Sequence, residues 1–269
     1  ITADGRFDLE YNDQSTWGNI GASGKIEKQW NNGDYAELQL SFSQYQSELF
    51  GFDRNIDLLL GVSDTVYFDR NTNLRDVSLF FSQNILRNQH KISFGTELKN
   101  FSLNSSNLQT DLMRVDSETN AIAAAFFVQD IYHPVPELLV KAGLRLTALT
   151  DVEKVLIEPR LFFEYTLNQI ISLNGGVGIN NQFLRRVRRQ DLFQNSSDEW
   201  AFAGQDGFPI LTSDHFTMGA RLNLDKFTFA VSGYFANKTG VIEDVKALTG
   251  FELDAFENDL LTGTGTTKG

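Results

Sequence analysis

The sequence predicts an all-β fold, a transmembrane antiparallel up-and-down β-barrel, on three observations. Apolar and polar side chains alternate through stretches of about ten residues, the length a tilted strand needs to cross a bilayer. The connections between these stretches are alternately short and long. The longest uncharged apolar run, Ala121 to Val128, falls far short of the roughly 18–20 residues a membrane helix needs.

The first clear strand, 19–30, sets Ile20, Ala22, Gly24, Ile26 and Trp30 against Asn19, Gly21, Ser23, Lys25, Glu27 and Gln29. Asn31-Asn32-Gly33-Asp34 then supplies the positive-φ positions of a hairpin turn into 35–45. The same reading pairs 74–83 with 90–101, 121–132 with 138–149, 157–166 with 171–180, and 215–224 with 227–237. A strand near 3–11 and another opening near 263 bring the expected total to about twelve. The remaining connections are expected to be loops: 46–73, 102–120, 181–214 and 238–262, with 12–16 and 150–156 as shorter members. Tight turns at one end and long loops at the other match a barrel with turns in the periplasm and loops outside.

The faces follow from parity. Leu138, Val140, Ala142, Leu144, Leu146 and Ala148 oppose Lys141, Gly143, Arg145 and Thr147. Ile157, Leu161, Phe163 and Tyr165 oppose Glu158, Arg160 and Glu164. Ile171, Leu173, Val177 and Ile179, then Phe227, Phe229, Val231 and Phe235, continue the apolar face. Turning an arginine or lysine to lipid at the midplane costs roughly 2–4 kcal/mol, so register is enforced strand by strand. Lys25, Glu27, Glu37, Asp76, Glu97, Lys141, Arg145, Glu158, Arg160 and Glu164 are then expected to line a hydrated or plugged interior. Trp17, Trp30, Tyr35, Tyr45, Tyr132, Tyr165 and Phe227 fall near strand ends and suggest aromatic girdles. Lys28 lies on the apolar face close enough to the Asn31 turn to snorkel, and Pro159 implies a bulge or a rim position.

Composition fits this fold. A mean hydropathy of −0.25 is what a wall with only one face in lipid should show. The net charge of −12 over 269 residues argues against a nucleic-acid partner. The lack of cysteine removes thiol nucleophiles, disulfide scaffolds and cysteine metal sites. Of the three histidines, His90 and His133 sit beside predicted turns and His215 opens a predicted strand, with no ligand spacing among them. No catalytic, cofactor or metal site is expected, and the chain does not read as an enzyme. The glycines of 174–178 lie inside a strand, and those of 263–269 have the wrong order for a phosphate loop.

Candidate ligand contacts fall in the long connections. Phe50, Phe52, Tyr67 and Phe68 belong to 46–73, and Phe183, Phe193, Trp200 and Phe202 to 181–214. Exposed loop aromatics have little core to serve. Arg185, Arg186, Arg188 and Arg189 suit lipopolysaccharide phosphates or an acidic ligand. Asp191, Asp198, Glu199, Asp206 and Asp214 balance them within the same loop, which favours an internally neutralised loop over a binding site. The residues expected to touch ligand are Phe183, Arg185, Arg186, Trp200, Phe202 and Tyr67.

Several of these segments together resemble the barrel of TonB-dependent outer-membrane receptors. Phe126-Phe127-Val128-Gln129-Asp130-Ile131-Tyr132 followed by Gly143-Leu144-Arg145 is similar to that family's aromatic-x-Gln-Asp strand and its Gly-x-Arg strand. Glu158-Pro159-Arg160 leading into Tyr165, then Asn180-Asn181-Gln182-Phe183, resembles the next hairpin and its outer loop. Gly263-Thr264-Gly265 with Lys268-Gly269 resembles the start of a further strand. The resemblance is strongest over 121–269. It implies a barrel of about 22 strands with a plugged lumen, in the outer membrane of a Gram-negative bacterium. Such a barrel imports scarce ligands such as siderophores, cobalamin, glycans or peptides with TonB-coupled energy. Residues 1–269 are then one segment of the barrel domain, with the plug and the remaining strands outside this sequence. The implied partners are the bilayer and lipopolysaccharide, the chain's own plug and the TonB complex through other regions, and a surface lipoprotein over the loops. Two rivals share the alternation: a self-contained twelve-stranded porin or outer-membrane enzyme, and a soluble β-sandwich binding protein.

Overall fold

The computed structural model describes residues 7–109, 113–150, 152–190, 196–204, 209–241 and 265–268. One antiparallel sheet of 11 strands carries the chain in simple up-and-down order, apart from a 2-stranded hairpin set aside from it. The sheet comprises β1 (Phe7–Gln29), β2 (Tyr35–Asp57), β3 (Val62–Arg87), β4 (His90–Gln109), β5 (Met113–Val135), β6 (Leu138–Leu149), β7 (Val152–Thr166) and β8 (Ile171–Gln182). It continues through β11 (Leu211–Leu224), β12 (Phe227–Val241) and β13 (Gly265–Lys268), while β9 (Leu184–Gln190) and β10 (Ser196–Phe202) form the hairpin.

All the predicted tight-turn hairpins form. Register runs Gln29↔Tyr35, Arg87↔His90, Val135↔Leu138 and Leu224↔Phe227 across successive turns, and β7 pairs with β8 from Thr166↔Ser172. In the first turn Gly33 has φ 86°, and the Asp34 carboxylate accepts from the Leu86 amide at 3.0 Å and from both terminal nitrogens of Arg87 at 3.0 and 3.1 Å. The Arg87 guanidinium beside it holds the Asp34 carboxyl below the usual aspartate range. A depressed carboxyl contributes stability that is present above its unfolded pKa and is lost as pH falls through the folded one. The protection of amides 31–34, relative to their intrinsic exchange rates, is therefore expected to fall on acidification below about pH 4, more than protection elsewhere, and Asp34→Asn should abolish that pH dependence.

The predicted loops differ most from what forms. Segments 46–57 and 62–73 are strand, as are 102–109 and 113–120, so the connections expected at 46–73 and 102–120 are continuations of β2 to β5. The expected strand at 3–11 and link at 12–16 are both part of β1 from Phe7 onward, which removes one strand from the expected count. β7 likewise begins at Val152, inside the expected 150–156 link, and 181–214 contains the β9–β10 hairpin. The strand expected near 263 appears as β13, paired with β12, whereas 242–262 lies outside the described residues. Beyond the bilayer both faces of a strand meet water, so the alternation that marks a strand disappears although the backbone ladder persists. From Gln44 to Asp57, β2 climbs about 40 Å along its axis.

Register places the predicted faces on opposite sides. Directly paired residues share a side, and the row Glu27↔Glu37↔Ser82↔Gly95↔Phe127↔Arg145↔Glu158 crosses seven strands. On the other side run Ala22↔Phe42↔Val77 and Leu161↔Val177↔Phe216↔Phe235. Gly95 is required by close approach, since a Cβ there would stand 2.1 Å from the Phe81 carbonyl and 2.6 Å from the Phe127 ring. Pro159 makes no bulge. It pairs with Leu144 in regular register and sits where the β7–β8 ladder ends at Arg160↔Gly178, and the register shift of this pair falls between Thr147 and Leu149.

Candidate functional site

Burial in this sheet is inverted. Every buried side chain of the main sheet lies on the inward side, and these include Ser78, Ser82, Thr147, Glu158, Ser172 and Ser213. Large apolar groups on the other side are open: Ile20, Ile26, Leu40, Phe126, Leu161, Phe216, Phe229 and Val231 are all exposed. From Leu138 to Ala148 a strand rising about 3.3 Å per residue climbs roughly 33 Å, which a tilt near 40° reduces to about 25 Å of height. That equals the apolar band of a membrane barrel. Above it the outward positions turn polar in step, with Gln44, Arg75, Asn120, Asp214 and Asn237 following Phe42, Val77, Ile122, Phe216 and Phe235. No helix among the described residues is long and apolar enough to cross a membrane.

Several of the inward charges are paired. Arg145 donates to Glu97 at 2.6 Å and Lys99 approaches the other oxygen at 3.2 Å. Arg160 lies 3.4 Å from Glu158 and donates to Asn180 at 2.9 Å, while the free Glu158 oxygen accepts the Asn181 amide at 2.8 Å, closing the ladder where Pro159 cannot donate. Tyr35 donates to Glu27 at 2.5 Å and contacts Glu37 at 2.9 Å, and Lys25 pairs with Glu27. Satisfied ion pairs half open to water suit a wet lumen and would be costly in a dry core.

Girdle positions divide by parity. Trp30, Tyr132, Tyr165 and Phe227 face outward near the tight turns. Trp17, Tyr35 and Tyr45 are corrected: they share the side of Ser47, Glu27 and Ser43, and Trp17 and Tyr45 stand well inside their strands, so none of the three belongs to the lipid boundary. Parity could have shown this, because each is an odd number of residues from its strand's apolar set.

Among the described residues, the β9–β10 hairpin completes an apolar cluster of buried side chains on the inward side. Phe202, 4% exposed, packs edge-on against Phe101 at 5.7 Å, with Phe183 at 5.9 Å from the same ring. Leu103, Ala121 and Ala123 complete the cluster, and Leu74, Leu149, Leu184 and Trp200 flank it. The small alanines of β5 leave the depth the hairpin occupies. The Trp200 ring also meets Tyr45 at 5.9 Å. At the hairpin base the Ala203 amide donates to Phe183 O at 2.6 Å, and Arg185 donates to the carbonyls of Gly240 and Pro209 at 2.9 Å each. Burial pulls the Arg185 pKa below its ordinary value, though a guanidinium remains charged at any physiological pH.

Of the sequence-predicted contacts, then, Phe183, Trp200 and Phe202 are brought together on the inward side, while Arg185, paired in register with Ala201, is held at the hairpin base by the Gly240 and Pro209 carbonyls. Arg186 is exposed and pairs in register with Trp200. Tyr67 stands elsewhere, on the outward side of β3 beside Phe52 at 6.1 Å, and Phe68 is buried on the inward side. Phe193 and the side chains of Arg188 and Arg189 lie outside the described residues, as do Asp191, Asp206 and the side chains of Asp198 and Glu199. His215 is inside β11 rather than at its start, and no group of metal-ligating side chains occurs among the described residues. Sequence reasoning missed Phe101 and Leu103, inward apolar residues whose position opposite Asp76 and Leu74 is visible only through register. It also missed the pairing of His90 with Asp130 at 2.6 Å.

No family model and no curated protein matches the chain. Solved structures do. The siderophore receptor PirA from Pseudomonas aeruginosa aligns with TM-score 0.53 at 13% identity over 89% of this chain and 50% of that one. BauA, the ferric preacinetobactin receptor from Acinetobacter baumannii, aligns with TM-score 0.54 at 9% identity over 84% of this chain and 38% of that one. The chain shares the β-sheet fold of these receptors and spans half or less of their length.

Proposed function

We propose that this chain is barrel wall from a TonB-dependent outer-membrane receptor, one segment of a larger barrel that imports a scarce chelated ligand across the outer membrane of a Gram-negative bacterium. The inverted sheet carries the reading: apolar side chains are open on the side that needs lipid, and paired charges line the other. A soluble sandwich would bury the apolar side instead. The fold shared with siderophore receptors supports the receptor assignment over a small porin, and favours a ferric siderophore among the ligand classes. Among the described residues the outer edge of β1 and the edge of β12 from Phe227 to Ala236 have no partner strand, and they call for pairing by further strands, because an unpaired ladder is not tolerated in hydrocarbon. Plug, TonB contact and any surface lipoprotein belong to regions other than those described.

In this reading the β9–β10 hairpin hangs over the lumen from the outer side, and Phe183, Arg185, Arg186, Trp200 and Phe202 are the ligand-proximal residues, with Tyr67 on the outer wall. The experiment is iron-restricted growth of source cells, with and without the intact gene, on a panel of ferric siderophores. Loss of growth on one siderophore without the gene, together with short-term uptake of that ferric siderophore by intact cells that a protonophore blocks, is the expected result. Equal growth on every siderophore would remove the siderophore assignment, and protonophore-resistant uptake would remove the energy coupling.

A further inference from the structure

At the end of the tight turns the outward side carries a built polar group that barrel architecture does not need. His90 and Tyr132 are paired in register on adjacent strands, and their rings stack at 4.3 Å with 6° between planes. Nδ1 of His90 lies 2.6 Å from Oδ2 of Asp130, one row nearer the apolar band. With the carboxylate as acceptor, that nitrogen carries the proton of the contact, so in the neutral ring Nε2 is an acceptor. The other Asp130 oxygen accepts no hydrogen bond. Across the turn from His90 stands Arg87, its side chain 57% exposed. Three of its N–H groups are spent on Asp34 and the Leu86 carbonyl, which leaves two of the guanidinium's five donors.

We propose that Arg87, His90, Asp130 and Tyr132 seat the headgroup of an amine phospholipid, phosphoethanolamine chemistry, in the leaflet at the tight-turn end of the barrel. The proposal rests on the membrane reading above. Arg87 takes the phosphate, a role its forked donors suit. Nε2 of His90 accepts an N–H of the ammonium in the plane of the ring, with the Asp130 carboxylate on the other ring nitrogen supplying a nearby negative charge. The acyl chains then run along the apolar band past Ile92, Val128 and Ala142. Asp130 disfavours a purely anionic headgroup, and an N–H acceptor gives a quaternary ammonium nothing to bind. The site therefore discriminates among three common headgroups.

The test uses the full-length receptor in nanodiscs of phosphatidylethanolamine, phosphatidylcholine or phosphatidylglycerol, released for native mass spectrometry. One phosphatidylethanolamine is expected to be retained at about tenfold higher occupancy than either other lipid, a difference of roughly 1.4 kcal/mol. His90→Phe, which keeps a ring on Tyr132, and Arg87→Gln should each abolish the preference. Equal retention of the choline lipid or of phosphatidylglycerol by the unaltered receptor overturns the proposal, as does a preference that survives both substitutions. Failure of the receptor to enter any nanodisc would instead remove the membrane reading itself.

Discussion

Leu144→Arg is expected to prevent stable assembly of the barrel, at a cost of about 2–4 kcal/mol for a cation near the bilayer midplane. Leu144 lies midway along β6, 37% exposed, and pairs with Val128 and Pro159 on the outward side. Gln129→Arg, on the inward side of the neighbouring strand opposite Gly143, should be tolerated within about 0.5 kcal/mol. The pair differs in side and not in charge. The measurement is the fraction of full-length protein that resists unfolding by detergent at room temperature, followed by urea titration in lipid vesicles. Equal tolerance of the two substitutions would mean that water, and not lipid, covers the apolar side.

Phe202→Ala should release the β9–β10 hairpin while the wall stands. Deleting a buried phenyl costs about 3–5 kcal/mol, and here the loss falls on a hairpin held by one aromatic cluster and the Arg185 clamp. Local opening is thus the cheapest response. The Ala203 amide, bonded to Phe183 O in the closed hairpin, should exchange at least about 100-fold faster, since each 1.4 kcal/mol is tenfold. Trp200 emission should shift to the red as its ring leaves Tyr45. Exchange in β6 and β7 should not change. If Ala203 exchange stayed at the unaltered rate, the aromatic cluster would not be what holds the hairpin down.

Much of the wall was legible because a bilayer writes a local pattern. Leu144 beside Arg145, and Ile157 beside Glu158, state their faces within two residues, and Asn31-Asn32-Gly33-Asp34 states its turn. The upper ladders were not legible, since Glu48-Leu49-Phe50 and Asp53-Arg54-Asn55 show no alternation. They are strand because β2 and β3 already share a register below them, and that cooperation is invisible in a short window. The hairpin cluster was hidden for a related reason. Along Ala121 to Val128 both faces are apolar, so nothing local shows that Ala121, Ala123 and Ala125 point inward and are small because another element fills the space above them. The His90–Asp130 contact joins residues 40 positions apart, which only the fold brings together.

The unequal lengths of the strands shape the approach to the mouth. β2 and β3 run 23 and 26 residues, whereas β6 and β8 run 12 each. On the proposed reading, the described strands make one flank a parapet and the other a low sill, so a bulky solute would meet the first before the second.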